Sequence, residues 1–105
     1  MSKQPLKDLA QVVRSKNAGP FEITFDMIFP DQPSYERVKT SNVITKETIA
    51  NLYQIHLEDI VELVYFDQAY AIKFTIKRTI SSGAPGERDT YGAQQHAPLL
   101  ELMIP

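Results

Sequence analysis

The feature that most constrains this chain is an alternation of apolar and polar side chains over residues 21–29. Odd positions are apolar and even positions as far as residue 26 are polar: Phe21, Glu22, Ile23, Thr24, Phe25, Asp26, Met27 and Phe29. Successive side chains of a strand point to opposite faces, so a period of two predicts a strand with one buried and one polar face. Such a strand belongs in an antiparallel sheet that is covered on one side.

Four further segments predict strands around this one. Residues 9–14 precede it, and the segment 15–20, with its Asn, Gly and Pro, predicts a turn between the two. Residues 60–66 are β-branched and aromatic, residues 70–78 alternate again, and residues 99–104 form a final apolar run.

The centre of the chain has the signals of two helices. Asp31 or Ser34 can cap a short helix over residues 35–39, with Asn42 as the residue that breaks it, and Thr45 can cap a second helix over residues 46–53. The order β-β-α-α-β-β-β predicts one α+β domain over residues 1–105, with helices on one face of an antiparallel sheet. The other face is then either wet or covered by another chain.

A long loop before the last strand is the first candidate for function. Residues 79–98 contain three glycines and two prolines, and loops beyond ~12–15 residues are uncommon unless they are functional or disordered. The loop carries side chains that make directed hydrogen bonds: Arg88, Asp89, Tyr91, Gln94, Gln95 and His96. Two interpretations stay open, a ligand- or partner-contacting loop and a self-packed surface loop.

A second candidate is the run Arg14, Ser15, Lys16 and Asn17. Two cations, a hydroxyl and free backbone amides in a turn can bind a carboxylate or a phosphate. The run lacks the spacing of a phosphate-binding P-loop. A solvated hairpin loop is the plainer interpretation, and the spacing alone favours it.

Composition and charge argue against several classes of protein. The 105 residues include no cysteine, and the formal net charge of −2 gives no basic footprint for nucleic acid. The N-terminal residues predict no signal peptide, and no apolar run predicts a membrane helix, so we expect a cytoplasmic protein. His56 and His96 lack metal-ligand spacing, and we expect neither a metal nor a cofactor.

Two long motifs resemble a family of short stand-alone bacterial proteins of unknown function. They are R-S-K-N-A-G-P-F from Arg14 and Y-G-A-Q-Q-H-A-P-L-L from Tyr91. The chain is also distantly similar to the small C-terminal domain of acyclic terpene utilisation proteins. That resemblance rests on the Arg-Ser start and on the closing L-L-x-M-x-I pattern, and it departs from that domain at the centre of the first motif. It implies a ferredoxin-like fold and a larger partner subunit.

Three functional hypotheses follow. In the first, the chain is an accessory or ligand-binding subunit that works with a larger catabolic protein on organic acids or acyl compounds. In the second, it is a small enzyme (a lyase, isomerase or hydrolase) with His96 or Asp89 as acid/base, and with Arg14, Lys16 or Arg88 holding an anionic substrate. A homo-oligomer is expected there, since one chain offers little room for a ~300 Å³ pocket. In the third, it is a purely structural oligomer.

Overall fold

The computed structural model describes residues 3–19, 21–77 and 97–105. Within these ranges the chain forms an α+β domain with antiparallel sheets and several short helices, which confirms the predicted fold class. Two 3-10 turns, Leu57–Asp59 and Asp67–Ala69, stand directly before and after the strand Ile60–Phe66. The helices and strands are β1 (Gln4–Pro5), α1 (Leu6–Leu9), β2 (Val12–Asn17), β3 (Glu22–Ile28), α2 (Gln32–Ser41), α3 (Lys46–Tyr53), β4 (Ile60–Phe66), β5 (Ala71–Lys77), α4 (Ala97–Leu100) and β6 (Met103–Ile104).

The main sheet has four antiparallel strands in the order β2-β3-β5-β4. Odd residues of β3 are buried as the alternation predicts, and Phe25 stacks on Phe74 of β5 with ring centroids 4.4 Å apart. The ring of Tyr53 covers both phenylalanines from α3. Helices therefore pack on one face of the sheet, and the arrangement is compatible with a ferredoxin-like fold.

Capping residues fix the two central helices. The Asp31 carboxylate accepts a hydrogen bond from the Ser34 amide at 2.9 Å, and the Thr45 hydroxyl accepts one from the Thr48 amide at 3.2 Å. Both caps satisfy an amide that the first helical turn leaves without a partner. Helix α2 ends at Asn42, which takes the left-handed conformation (φ 57°), as Asn does more readily than most residues. The predicted caps and helix end are confirmed.

The two ends of the chain differ from the prediction. Leu6 to Leu9 form a helical turn, so the strand predicted over residues 9–14 begins at Val12 instead and continues to Asn17. Residues 97–100 form α4, and only Met103–Ile104 of the predicted last strand is extended. That strand does not join the main sheet, because it pairs with β1 in a two-stranded sheet. The strand assigned to residues 99–104 is therefore wrong over most of its length.

We refer to the side of the main sheet away from the helices as the open face. The pairing register of the strands places side chains from all four of them on this face. Residues that are paired from strand to strand form rows that run across the sheet. At its centre Thr24 and Thr75 are buried, and their hydroxyls hydrogen-bond at 3.0 Å. Charged side chains around them are exposed, including Arg14, Lys16 and Lys77. The prediction of a polar second face is therefore confirmed for this part of the sheet, whereas the row at one end is apolar.

Candidate functional site

A groove of about 500 Å³ opens between the α2–α3 connection and strand β4. It lies on the helical side of the sheet. Helix α2 contributes its last turn, α3 its first turn, and β4 two side chains of its core-facing row. The described residues that line the groove are Lys39, Asn42, Ile44, Thr45, Lys46, Glu47, Leu63 and Tyr65. The expectation that one chain has little room for a pocket of ~300 Å³ is therefore wrong.

The floor of the groove is apolar and held in place. Ile44 is buried, and its carbonyl oxygen accepts a hydrogen bond from the Tyr65 hydroxyl at 2.6 Å. This bond ties the α2–α3 connection to strand β4. Burial raises the pKa of the Tyr65 hydroxyl, which keeps it protonated and able to donate. Leu63 and the Tyr65 ring complete an apolar wall that can contact a hydrocarbon chain.

Lys39, which lines one rim of the groove, belongs to a cluster with Tyr35 and Asp67, two residues outside the groove lining. Lys39 Nζ lies 2.8 Å from the Asp67 carboxylate and 5.9 Å from the centre of the Tyr35 ring. The Tyr35 hydroxyl donates a short hydrogen bond to the same carboxylate. Tyr35 and Lys39 stand four residues apart in α2, so both side chains reach one side of that helix.

Asp67 changes the pKa of both Lys39 and Tyr35, and each of these two side chains changes the pKa of Asp67. The Lys39 ammonium, followed by the Tyr35 hydroxyl, lowers the pKa of Asp67. The hydrogen bond to Asp67 raises the pKa of Lys39. Burial, together with that carboxylate, raises the pKa of Tyr35 well above its usual range. At neutral pH the cluster therefore holds a fixed ammonium at the rim of the groove.

The charges of the groove favour one kind of ligand. Lys39 and Lys46 contribute ammonium groups, and Glu47 contributes one carboxylate among the described lining residues. A single carboxylate can accept hydrogen bonds from either ammonium group, whereas a ligand with several negative charges is repelled more strongly by the Glu47 carboxylate. Pockets for small molecules are typically apolar with a few placed polar groups, and this groove has that composition.

A family model described as a domain of unknown function, DUF4387, matches residues 6–103. The chain belongs to the DUF4387 family. The match confirms the expectation of an uncharacterised family, while the likeness to the terpene utilisation domain stays a prediction. No curated protein and no solved structure matches this chain.

The first predicted site of this DUF4387 chain is on a strand instead of a turn. Arg14, Ser15, Lys16 and Asn17 belong to β2, and they pair with residues 23–26 of β3. Their side chains alternate between the two faces, so Arg14 and Lys16 lie on the open face while Ser15 is buried on the helical side. The prediction of a hairpin loop at these four residues is therefore wrong. Arg14 Nε lies 3.3 Å from the Asp26 carboxylate.

The second predicted site lies outside the described residues, and so does the question of whether the two sites meet. It comprises the catalytic candidates Asp89 and His96 and the ligand-binding candidates Arg88, Tyr91, Gln94 and Gln95. The last described residue before this segment, Lys77, pairs with Glu22 beside the β2–β3 turn. The chain therefore enters the segment at the end of the sheet where Asn17 lies.

Other site classes find no support among the residues that the structure describes. No group of three His, Cys, Asp or Glu side chains there could hold a metal ion. None of the helices in the same ranges combines the length and apolarity needed to cross a membrane.

The sequence does not predict the groove, because the residues that line it come from three separate elements, α2, α3 and β4. The sequence assigns Lys39, Thr45 and Lys46 only to helices and caps. The four-residue spacing of Tyr35 and Lys39 is the available signal for a shared helix face. No local pattern indicates that Asp67, in the turn after β4, reaches that face.

Proposed function

We propose that this protein is a ligand-binding accessory subunit for carboxylates with an apolar tail, and that it works beside a larger catabolic protein on organic acids or acyl compounds. The observation that carries the proposal is the groove, with an apolar wall at Ile44, Leu63 and Tyr65 and ammonium groups at its rim. A carboxylate would lie near Lys39 or Lys46, and the hydrocarbon chain would cover the wall.

The energies of such a complex fit a binding role. Burial of apolar surface contributes about 25 cal/mol per Å², so affinity should rise with tail length. An exposed ammonium adds about 1 kcal/mol or less to the binding of a carboxylate. Apolar burial would thus supply most of the affinity, and the lysines would select the acid over an uncharged analogue.

A titration with hexanoate tests the ligand proposal. We expect amide shifts in ¹H–¹⁵N spectra at Ile44, Thr45 and Leu63, and we expect hexan-1-ol to bind more weakly. Lys46→Met keeps most of the aliphatic stem and removes the charge, so it should weaken hexanoate binding about threefold to fivefold and leave hexanol binding unchanged.

Lys16→Met is the matched control, because Lys16 is exposed on the open face, away from the groove. It should bind hexanoate as the parent protein does. Equal losses in Lys16→Met and Lys46→Met, or equal affinity for hexanoate and hexanol in the parent, would contradict a carboxylate site in the groove.

The accessory role has a separate test. The tagged chain is isolated from its native cells after mild crosslinking, and we expect one larger protein in stoichiometric amount. Recovery of this chain alone, at every crosslinker concentration, would exclude a stable partner and leave ligand binding as the whole proposal.

A further inference from the structure

The open face of the main sheet carries its charges in stripes, one sign on each strand. Because the strand order is β2-β3-β5-β4, the signs run positive, negative, positive, negative across the sheet. The charged residues in that order are Arg14 and Lys16 on β2, Glu22 and Asp26 on β3, Lys73 and Lys77 on β5, and Glu62 on β4.

One end of the same face is apolar. Register aligns Val12, Ile28, Ala71 and Phe66 in a single row that crosses all four strands. Phe66 is 45% exposed at the edge of this row. A contiguous apolar strip beside a charged surface is typical of a protein–protein contact.

We propose that a second copy of this chain packs on the open face, about a two-fold axis that runs parallel to the strands. That axis places β2 over β4 of the other copy and β3 over β5 of the other copy. Because positions along the strands do not change, each cross-strand row faces the same row of the other copy. The apolar row then lies on its own counterpart, with Val12 opposite Phe66 of the partner subunit.

The same operation brings opposite charges together across the face. Lys16 lies opposite Glu62 of the partner subunit, Asp26 opposite Lys73 of the partner subunit, and Glu22 opposite Lys77 of the partner subunit. A two-fold axis perpendicular to the strands would instead stack each strand on its own copy and oppose like charges. The charge stripes therefore select one dimer geometry over the other.

The size of the face predicts a weak dimer. Four strands about 4.8 Å apart and up to about 24 Å long give roughly 450 Å² for each copy. Stable interfaces bury about 800 Å² for each partner, so we expect a dimer that forms reversibly at micromolar concentrations. Sheets packed face to face lie about 10 Å apart, within reach of opposed lysine and glutamate side chains. The groove remains accessible because it lies on the helical side.

Charge reversal at Lys16 and Glu62 tests the geometry. Both residues are exposed, and within one chain they lie on opposite edge strands about 14 Å apart, too far to form an ion pair. In the symmetric dimer, residue 16 of each copy faces residue 62 of the other copy, so this contact occurs twice. Both contacts would join two carboxylates in the Lys16→Glu dimer and two ammonium groups in the Glu62→Lys dimer. Sedimentation equilibrium of the full chain should then show dimerisation about tenfold weaker for either variant.

An equimolar mixture of the two variants gives the deciding result. In the mixed dimer the two introduced charges, which have opposite signs, would face each other, and the unchanged Lys16 of one copy would face the unchanged Glu62 of the other. We therefore expect an affinity within about threefold of the parent dimer. Lys3→Glu and Glu58→Lys are controls outside the face, and they should leave dimerisation unchanged. Circular dichroism confirms that each variant is folded. A parent protein that stays monomeric at about 1 mM, or a mixture that associates no better than its components, would overturn the proposal.

Discussion

Replacing Phe74 by alanine is expected to lower the free energy of unfolding by about 3–5 kcal/mol. The Phe74 side chain is fully buried on β5, an inner strand of the main sheet, and its ring stacks on Phe25 and also contacts the ring of Tyr53. Alanine leaves a cavity that the neighbouring strands cannot fill without shifting the sheet. Domains of this size are stable by about 5–15 kcal/mol, so the substitution should remove a large part of the total stability.

Phe21→Ala is the matched control, because that ring is 57% exposed and lies in the β2–β3 turn. Urea denaturation followed by circular dichroism should place this control within about 0.5 kcal/mol of the parent. A Phe74→Ala loss of less than about 1 kcal/mol would contradict the assignment of the stacked rings to the centre of the core.

Ile104→Ala is expected to lower the free energy of unfolding by about 2–4 kcal/mol, although the residue is next to the last in the sequence. Its side chain is fully buried, and β6 pairs with β1. The Leu6 amide also donates to the Leu102 carbonyl at 2.8 Å. Losing the side chain should loosen the junction of the two chain ends and speed hydrogen exchange at the Leu6 amide.

Met103→Ala is the control in the same short strand, since Met103 is 47% exposed. We expect little change in either the urea midpoint or the exchange of the Leu6 amide. Equal effects of the two substitutions would mean that the C-terminal strand does not bury one face against the core.

The central part of the fold was predictable because its signals are local. The alternation of β3 has a period that only a half-buried strand satisfies, and the Asp31 and Thr45 side chains can cap helices through contacts three residues away. These features need no knowledge of the rest of the chain. The order of the main elements from β2 to β5 followed from them.

The chain ends were not predictable in the same way. Leu99, Leu100 and Leu102 form an apolar run too short to distinguish a helix from a strand by its period. The pairing of Gln4 with Ile104 joins residues from opposite ends of the sequence, so no window of residues contains both partners. The turn-forming residues at 18–20 also led to a loop prediction that begins too early, at residue 15. Strand β2 in fact continues to Asn17, which pairs with Ile23.

The groove depends on packing, which explains why sequence reasoning placed the site elsewhere. Long polar loops are the ordinary location of function, and this directed the prediction to residues 14–17 and 79–98. The groove exists because α2 and α3 meet β4 at one edge, where the Tyr65 hydroxyl reaches the Ile44 carbonyl. Only the three-dimensional arrangement brings Lys39, Lys46 and Leu63 together.

The most direct test of the proposed function is an isotope-filtered NOE experiment on ¹³C-labelled protein with unlabelled hexanoate. We expect NOEs from the hexanoate methylene protons to the methyl groups of Ile44 and Leu63, together with contacts to the Tyr65 ring. NOEs to Val12 and Ile28 on the open face, with none to Ile44 and Leu63, would contradict the groove as the ligand site.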